Sequence, residues 1–311
     1  MRATVLVIML GACYSPSYRD CEVLCTVSQA CPSGLACNGV HCVSDLAMTC
    51  TGDGGPMLAD AVTGTWSIPT TVFAPSGTVV YSPTLRDDRL EIFLSNGNNI
   101  LVARRTMVTG TWVTPGNVPE LSTAMIEDTP EVSSDGLIMF FVRGDSPGTT
   151  EIFEATRASR DLAWGSPNIA TALNSPSAET APAISTDGLT IVFASTPNGN
   201  SDLFIANRAT KASAWSPPAP LISLNTAMIE DRPFLSPDKR TIYFSSNRSG
   251  SLDLFTATRP TTTAEFGTPS PITELNTPSR DETDPWVTED GRHMFFTRIV
   301  SGTYEIVETS R

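Results

Sequence analysis

Residues 235–259 read Leu235-Ser-Pro-Asp-Lys-Arg-Thr-Ile-Tyr-Phe-Ser-Ser-Asn-Arg-Ser-Gly250, then Ser251, then Leu252-Asp-Leu-Phe-Thr-Ala-Thr-Arg259. A polar turn centred on Asp238 opens a β-branched and aromatic run. A loop of Asn, Ser and Gly then leads to a second apolar run, so the stretch reads as two antiparallel strands. The same unit returns around Asp88, Asp135, Asp187, Asp238 and Asp290, at spacings of 47, 52, 51 and 52 residues. Short strands recurring at that period, with no helical periodicity between them, are the mark of a propeller or solenoid.

The register holds at many positions. Five residues before each Asp stands Pro83, Pro130, Pro182, Pro233 or Pro285, and six residues after it stands Leu94, Phe141, Phe193, Phe244 or Phe296. Further on come Arg105, Arg157, Arg208, Arg259 and Arg311, and seven residues beyond the first four arginines lie Trp112, Trp164, Trp215 and Phe266. Each unit therefore supplies a Pro-initiated strand A, strands B and C, and an aromatic-bearing strand D. The fifth unit reaches Arg311 without an aromatic, while Gly64-Thr-Trp66 carries an aromatic with no A, B or C before it. Pairing residues 64–73 with residues 302–311 completes the ring and removes the open edges that would template aggregation. The expected fold is all-β: a five-bladed β-propeller of four-stranded antiparallel blades over residues 64–311.

These units, Leu235-Ser-Pro-Asp-Lys-Arg-Thr-Ile-Tyr-Phe-Ser above all, closely resemble the WD40-like (PD40) propeller repeat of the TolB family. The resemblance spans roughly residues 64–311 and implies the fold. It does not imply one activity, because this repeat serves translocation proteins, peptidase accessory domains and envelope lipoproteins alike. A Cys-rich segment stands where TolB has an N-terminal α/β domain.

That segment follows a short apolar run, Thr4-Val-Leu-Val-Ile-Met-Leu10, preceded by Arg2 and ending in Gly11-Ala12-Cys13. The run is short for a membrane span and suits a signal peptide over residues 1–12. Leu10-Gly-Ala-Cys13 resembles a bacterial lipobox, which makes Cys13 the acylated anchor. Tyr14, rather than an Asp, follows it, which points to the outer membrane. Of seven cysteines, the remaining six (Cys21, Cys25, Cys31, Cys37, Cys42 and Cys50) crowd into thirty residues. In an exported chain such an even set reads as a small disulfide module over residues 13–50, with pairing open among 15 possibilities. Residues 51–63, rich in turn formers, read as a linker.

A net charge of −13 argues against nucleic-acid binding and favours cationic or neutral partners. The two histidines, His41 and His293, lie far apart, and no spacing suggests a metal site or cofactor. Acids recur before strand A: Glu127 and Asp128, Glu179, Glu230 and Asp231, and Asp281, Glu282 and Asp284, with Val80 in the first unit. Because Glu127, Glu179, Glu230 and Glu282 repeat with the scaffold, they read as loop caps. Positions that differ between blades make better ligand candidates, namely Asp128, Glu131, Asp231, Arg232, Asp284 and Trp286. Arg232 and Asp284 are equally suited to pairing with each other, and Trp286 to a blade interface or a stacking platform. The arginines ending strand C are expected on the opposite face, giving the disc two charges. The reading is a non-catalytic envelope protein, lipid-anchored, binding a protein, peptide or glycan at an acidic channel mouth. A propeller glycosidase using channel carboxylates is the alternative. Against it, no carboxylate sits in an apolar stretch of sequence that would raise its pKa.

Overall fold

A computed structural model describes residues 36–37, 42–43, 64–74 and 79–311. Residues 64–311 form one compact unit of five four-stranded antiparallel sheets. Blade 3 shows the plan: strand A Glu179–Ile184, B Thr190–Ser195, C Asp202–Asn207 and D Ala219–Pro220. The innermost strands of the other blades are Tyr81–Leu85, Ile126–Val132, Glu230–Leu235 and Asp281–Val287. Blade 5 takes its fourth strand, Thr70–Phe73, from the start of the propeller. That strand pairs with Thr303–Ser310, joining Ile306 to Phe73 and Glu308 to Thr70, and Ser67 N–H donates to the Ser310 carbonyl at 2.8 Å. The ring thus closes between the two segments that the repeat pattern singled out.

The repeated residues are the tools of this fold. In each A–B turn the Asp accepts a backbone N–H two residues on, as from Leu137 to Asp135 at 2.9 Å and from Arg240 to Asp238 at 3.0 Å. The turn needs a left-handed residue after the Asp, which glycine supplies at Gly136, Gly188 and Gly291, and Arg89 and Lys239 supply with φ of 55° and 58°. Strand B and strand C aromatics stack within a blade, as Phe244 on Phe255 at 5.9 Å. Side chains of neighbouring blades then interdigitate. Val192 and Leu203 of blade 3 share one cluster with Phe244 and Phe255 of blade 4.

The arginine ending each strand C does not build a basic face. Its Nε donates to the carbonyl of the left-handed turn residue in all five blades, at 2.6 to 2.9 Å. Its guanidinium lies 4.2 to 4.4 Å from the ring centre of Trp112, Trp164, Trp215, Phe266 or Trp66. Arg157, Arg208 and Arg259 are buried, so the expected two-sided charge gives way to five internal clamps. Each aromatic also sits four residues before strand D rather than on it, and in blades 1 to 4 that strand is only two residues long.

The expected signal peptide, the expected anchor Cys13, the cysteines Cys21, Cys25, Cys31 and Cys50, and the expected linker lie outside the described residues. Within that region Ala36–Cys37 pairs antiparallel with Cys42–Val43. Because no cysteine lies beyond Cys50, adding reductant should leave the propeller's melting midpoint within a degree or two of its untreated value. Calorimetry of the same protein with and without dithiothreitol checks this.

Candidate functional site

The site begins with a backbone irregularity repeated five times. In every strand A the register against strand B slips just before the proline, as between Asp128 and Glu131 or Asp231 and Phe234. The residue preceding the proline is left-handed each time: Ser82, Thr129, Ala181, Arg232 and Asp284, with φ between 47° and 55°. That conformation is disfavoured for a residue before proline and costs on the order of 1–3 kcal/mol at each position. A bulge of this kind re-aims side chains, and here it turns these five residues toward the axis. They line the channel together with the five prolines and, one layer deeper, Glu131, Ala183, Phe234 and Trp286.

At the mouth, Arg232 spans three blades. Its Nη1 donates to Asp284 Oδ1 at 3.0 Å and to Ser82 Oγ at 2.9 Å, and Ser82 Oγ donates to the same Asp284 oxygen at 2.8 Å. Asp231 stands 3.5 Å from Arg232 Nε. The carboxylates of Asp284, Asp231 and Asp128 hold the half-buried guanidinium charged. Around this plug the rim residues join across blades: Tyr81 O–H donates to Asp128 at 3.1 Å, and Thr180 O–H to Asp231 at 3.1 Å. Burial and the neighbouring Asp128 push the Tyr81 phenol well above its ordinary range.

The structure thus brings Asp128, Asp231, Arg232 and Asp284 together at one opening. Asp128 and Asp231 stay partly exposed, whereas Asp284 is buried in its ion pair. Trp286 is only 6% exposed and packs between Phe234 at 5.9 Å and Phe295 at 6.1 Å, so it takes the packing role rather than offering an open stacking face. Glu131 lies in the same layer as Phe234 and Trp286, between a cavity of about 40 Å³ above and one of about 30 Å³ below. A water needs roughly 10–15 Å³ by this measure, so each cavity holds two or three waters and no sugar ring.

Burial drives the Glu131 carboxyl up to about 8, opposed only by a hydrogen bond from Thr84. This corrects the expectation that no carboxylate has an apolar setting. The apolar neighbours come from blades 4 and 5 and are invisible beside Glu131 in the chain. Glu127, Glu179, Glu230 and Glu282 are fully buried and cap the loop before strand A. They accept the N–H of Thr123, Ser175, Thr226 and Thr277 at 2.7 to 3.2 Å, together with the same residues' hydroxyls. They form no part of the mouth. Among the described residues no group of three His, Cys, Asp or Glu side chains is placed to hold a metal ion.

No protein-family model matches this sequence, and no curated protein is similar to it. Solved structures do resemble it. An α-L-arabinofuranosidase of Podospora anserina superposes with a TM-score of 0.56 at 10% identity, over 79% of this chain and 96% of that one. An endo-arabinase of Bacteroides thetaiotaomicron gives 0.55 at 13% identity, over 78% and 97%. A protein assigned as TolB from Agrobacterium tumefaciens gives 0.52 at 15% identity, over 79% and 85%. At such identities the likeness establishes the shared fold, an all-β five-bladed propeller common to TolB and to glycoside hydrolases.

Proposed function

We propose that this chain is a non-catalytic binding protein of the cell envelope, anchored through Cys13, that engages a cationic peptide or protein, or a glycan, on the acidic mouth of its propeller. The observation that carries the reading is the plugged channel. Arg232 is locked to Asp284, only room for waters lies beneath, and the rim carboxylates Asp128 and Asp231 stay partly exposed. A partner therefore lies across the mouth and is steered there by charge.

A second reading, glycoside hydrolysis, has its own support. The mouth holds two carboxyls in unlike settings, Asp284 in an ion pair with Arg232 and Glu131 buried and raised to about 8. Two carboxyls set apart in this way are what acid–base cleavage of a glycosidic bond uses. Weighing against it is the space between them, which admits no sugar ring.

Binding is tested by titrating the protein with a lysine-rich peptide, a neutral peptide of equal length and an arabinan oligosaccharide at two salt concentrations. Replacing Asp128 and Asp231 together by Asn should weaken the cationic peptide about tenfold and flatten its salt dependence. The melting midpoint should move by no more than a few degrees, since each Asn keeps an oxygen for its neighbouring hydroxyl. Unchanged affinity for every probe in the double variant would count against the mouth as the binding surface.

A further inference from the structure

Three of the four buried glutamates at the start of strand A share a partner. Arg143 Nε donates to Glu127 at 2.9 Å, Arg248 Nη2 to Glu230 at 2.9 Å, and Arg298 lies 3.5 Å from Glu282. Each guanidinium covers the blade's own aromatic rings. Arg143 lies 5.3 and 5.0 Å from Phe141 and Phe153, Arg248 lies 5.4 and 4.9 Å from Phe244 and Phe255, and Arg298 lies 5.5 Å from Phe296. These arginine side chains are 12%, 20% and 10% exposed, so the pocket for the cation lies just below the surface.

Blade 3 keeps everything but the cation. Phe193 and Phe204 stack at 5.9 Å, as their counterparts do in blades 2 and 4, and Glu179 is fully buried. The arginine enters from one of two places: on strand B opposite the glutamate, as with Arg143 and Arg298, or two residues further, just past the strand, as with Arg248. In blade 3 those places hold Ser195 and Pro197. One oxygen of Glu179 takes the Ser175 N–H and the hydroxyls of Ser175 and Ser195, and the other is buried without a hydrogen-bond partner. Blade 1 shows the contrast. It has Val80 in place of the glutamate and no arginine opposite, so acid and cation are lost together there. A buried acid retained without its cation is costly unless something else supplies the charge. Pro197, at the place Arg248 takes in blade 4, is exposed, with Glu179 and Phe193 just beneath the surface.

We propose that blade 3 is a docking site for an arginine side chain of another polypeptide, whose guanidinium stacks over Phe193 and Phe204 and pairs with the bare oxygen of Glu179. Arginine fits better than lysine, because the resident cations of the sister blades are planar groups lying on aromatic faces. Burial and the nearby Glu151 raise the Glu179 carboxyl above its usual range, a shift that an arriving cation opposes. The site lies on the same face of the disc as the mouth, yet it shares no residue with it and stands whether or not the mouth binds a partner.

The test is a ligand-observed NMR titration of the full chain with N-acetylarginine amide, its lysine counterpart and the neutral citrulline counterpart. The arginine probe should bind at least tenfold more tightly than citrulline. Glu179→Gln should reduce its affinity to the citrulline level, and Pro197→Arg, which supplies the cation internally, should abolish binding and raise the melting midpoint. The Asp128 and Asp231 double variant should retain wild-type affinity for the probe. The proposal is overturned if the arginine probe binds no better than citrulline, or if Glu179→Gln keeps wild-type affinity. It is equally overturned if only the mouth variant loses binding. Should Pro197→Arg fail to fold, Glu179→Gln decides alone.

Discussion

Deleting residues 64–73 from the full chain should abolish the cooperative melt of the propeller or lower its midpoint by tens of degrees. The segment contributes the fourth strand of blade 5, and without it Thr303–Ser310 becomes the free edge of its sheet. Trp66 is buried, with the Arg311 guanidinium 4.2 Å from its ring centre, and its backbone N–H donates to Glu274 at 3.3 Å. The Thr309 hydroxyl donates to the Ser67 carbonyl at 2.6 Å, so the latch is held by side chains as well as by the strand ladder. Trp66→Ala alone should cost about 3–5 kcal/mol, the usual loss for a buried tryptophan. Urea unfolding of both variants measures this. A variant lacking residues 64–73 that melted like the wild type would mean the ring is closed by something else.

Glu131→Gln should stabilise the protein at pH 9 and leave it unchanged near pH 4.5. Below 4.5 the carboxyl is protonated in both folded and unfolded chains. Between 4.5 and about 8 the unfolded chain gives up the proton while the folded chain, with the group buried beside Phe234 and Trp286, retains it. Native stability is therefore lost progressively across that window, and the loss is complete above 8. Glutamine copies the neutral acid and does not titrate. At about 1.4 kcal/mol for each pH unit, the gain of the variant at pH 9 is on the order of a few kcal/mol, or about 10 °C. Thermal melts of the two proteins at pH 5 and pH 9 give the comparison. A difference that is the same at both values would show that Glu131 does not titrate in this window.

The two groups of residues behind these predictions differ in how far they could be read from the chain. Trp66 was legible because it completes a spacing set by four other aromatics, and repetition converts a single tryptophan into a position in a ring. The Pro, Asp, Arg and Phe of each unit were legible for the same reason, and so were the capping glutamates. The mouth was legible as a set of departures from the repeat. Arg232 and Asp284 meet there because each precedes its proline and the bulge aims that position inward, while Asp128 and Asp231 join them from one residue before the bulge position and on the rim. What the chain concealed was surroundings supplied by other blades. Glu131 and Trp286 are 155 residues apart in sequence and neighbours on the axis. Hence the raised acid at Glu131 and the packed role of Trp286 emerge only in three dimensions. The arginines ending strand C misled in the opposite sense, since a charged residue beside a turn reads as surface until its carbonyl and aromatic partners are placed. The pairing of Arg143, Arg248 and Arg298 with the caps was also missed. Its signal was present, as an arginine at the end of strand B or just beyond it in each of the three blades, where blade 3 has Ser195 and Pro197.

The claim that the mouth binds without cutting is tested most directly by incubating the purified chain, residues 14–311, with arabinan and measuring released reducing sugar. With Arg232 locked on Asp284 and space only for waters above Glu131, release should equal that of Asp284→Asn and Glu131→Gln controls, both at background. Release by the wild type that either substitution abolishes would contradict the binding account and assign the propeller to the glycoside hydrolases it resembles.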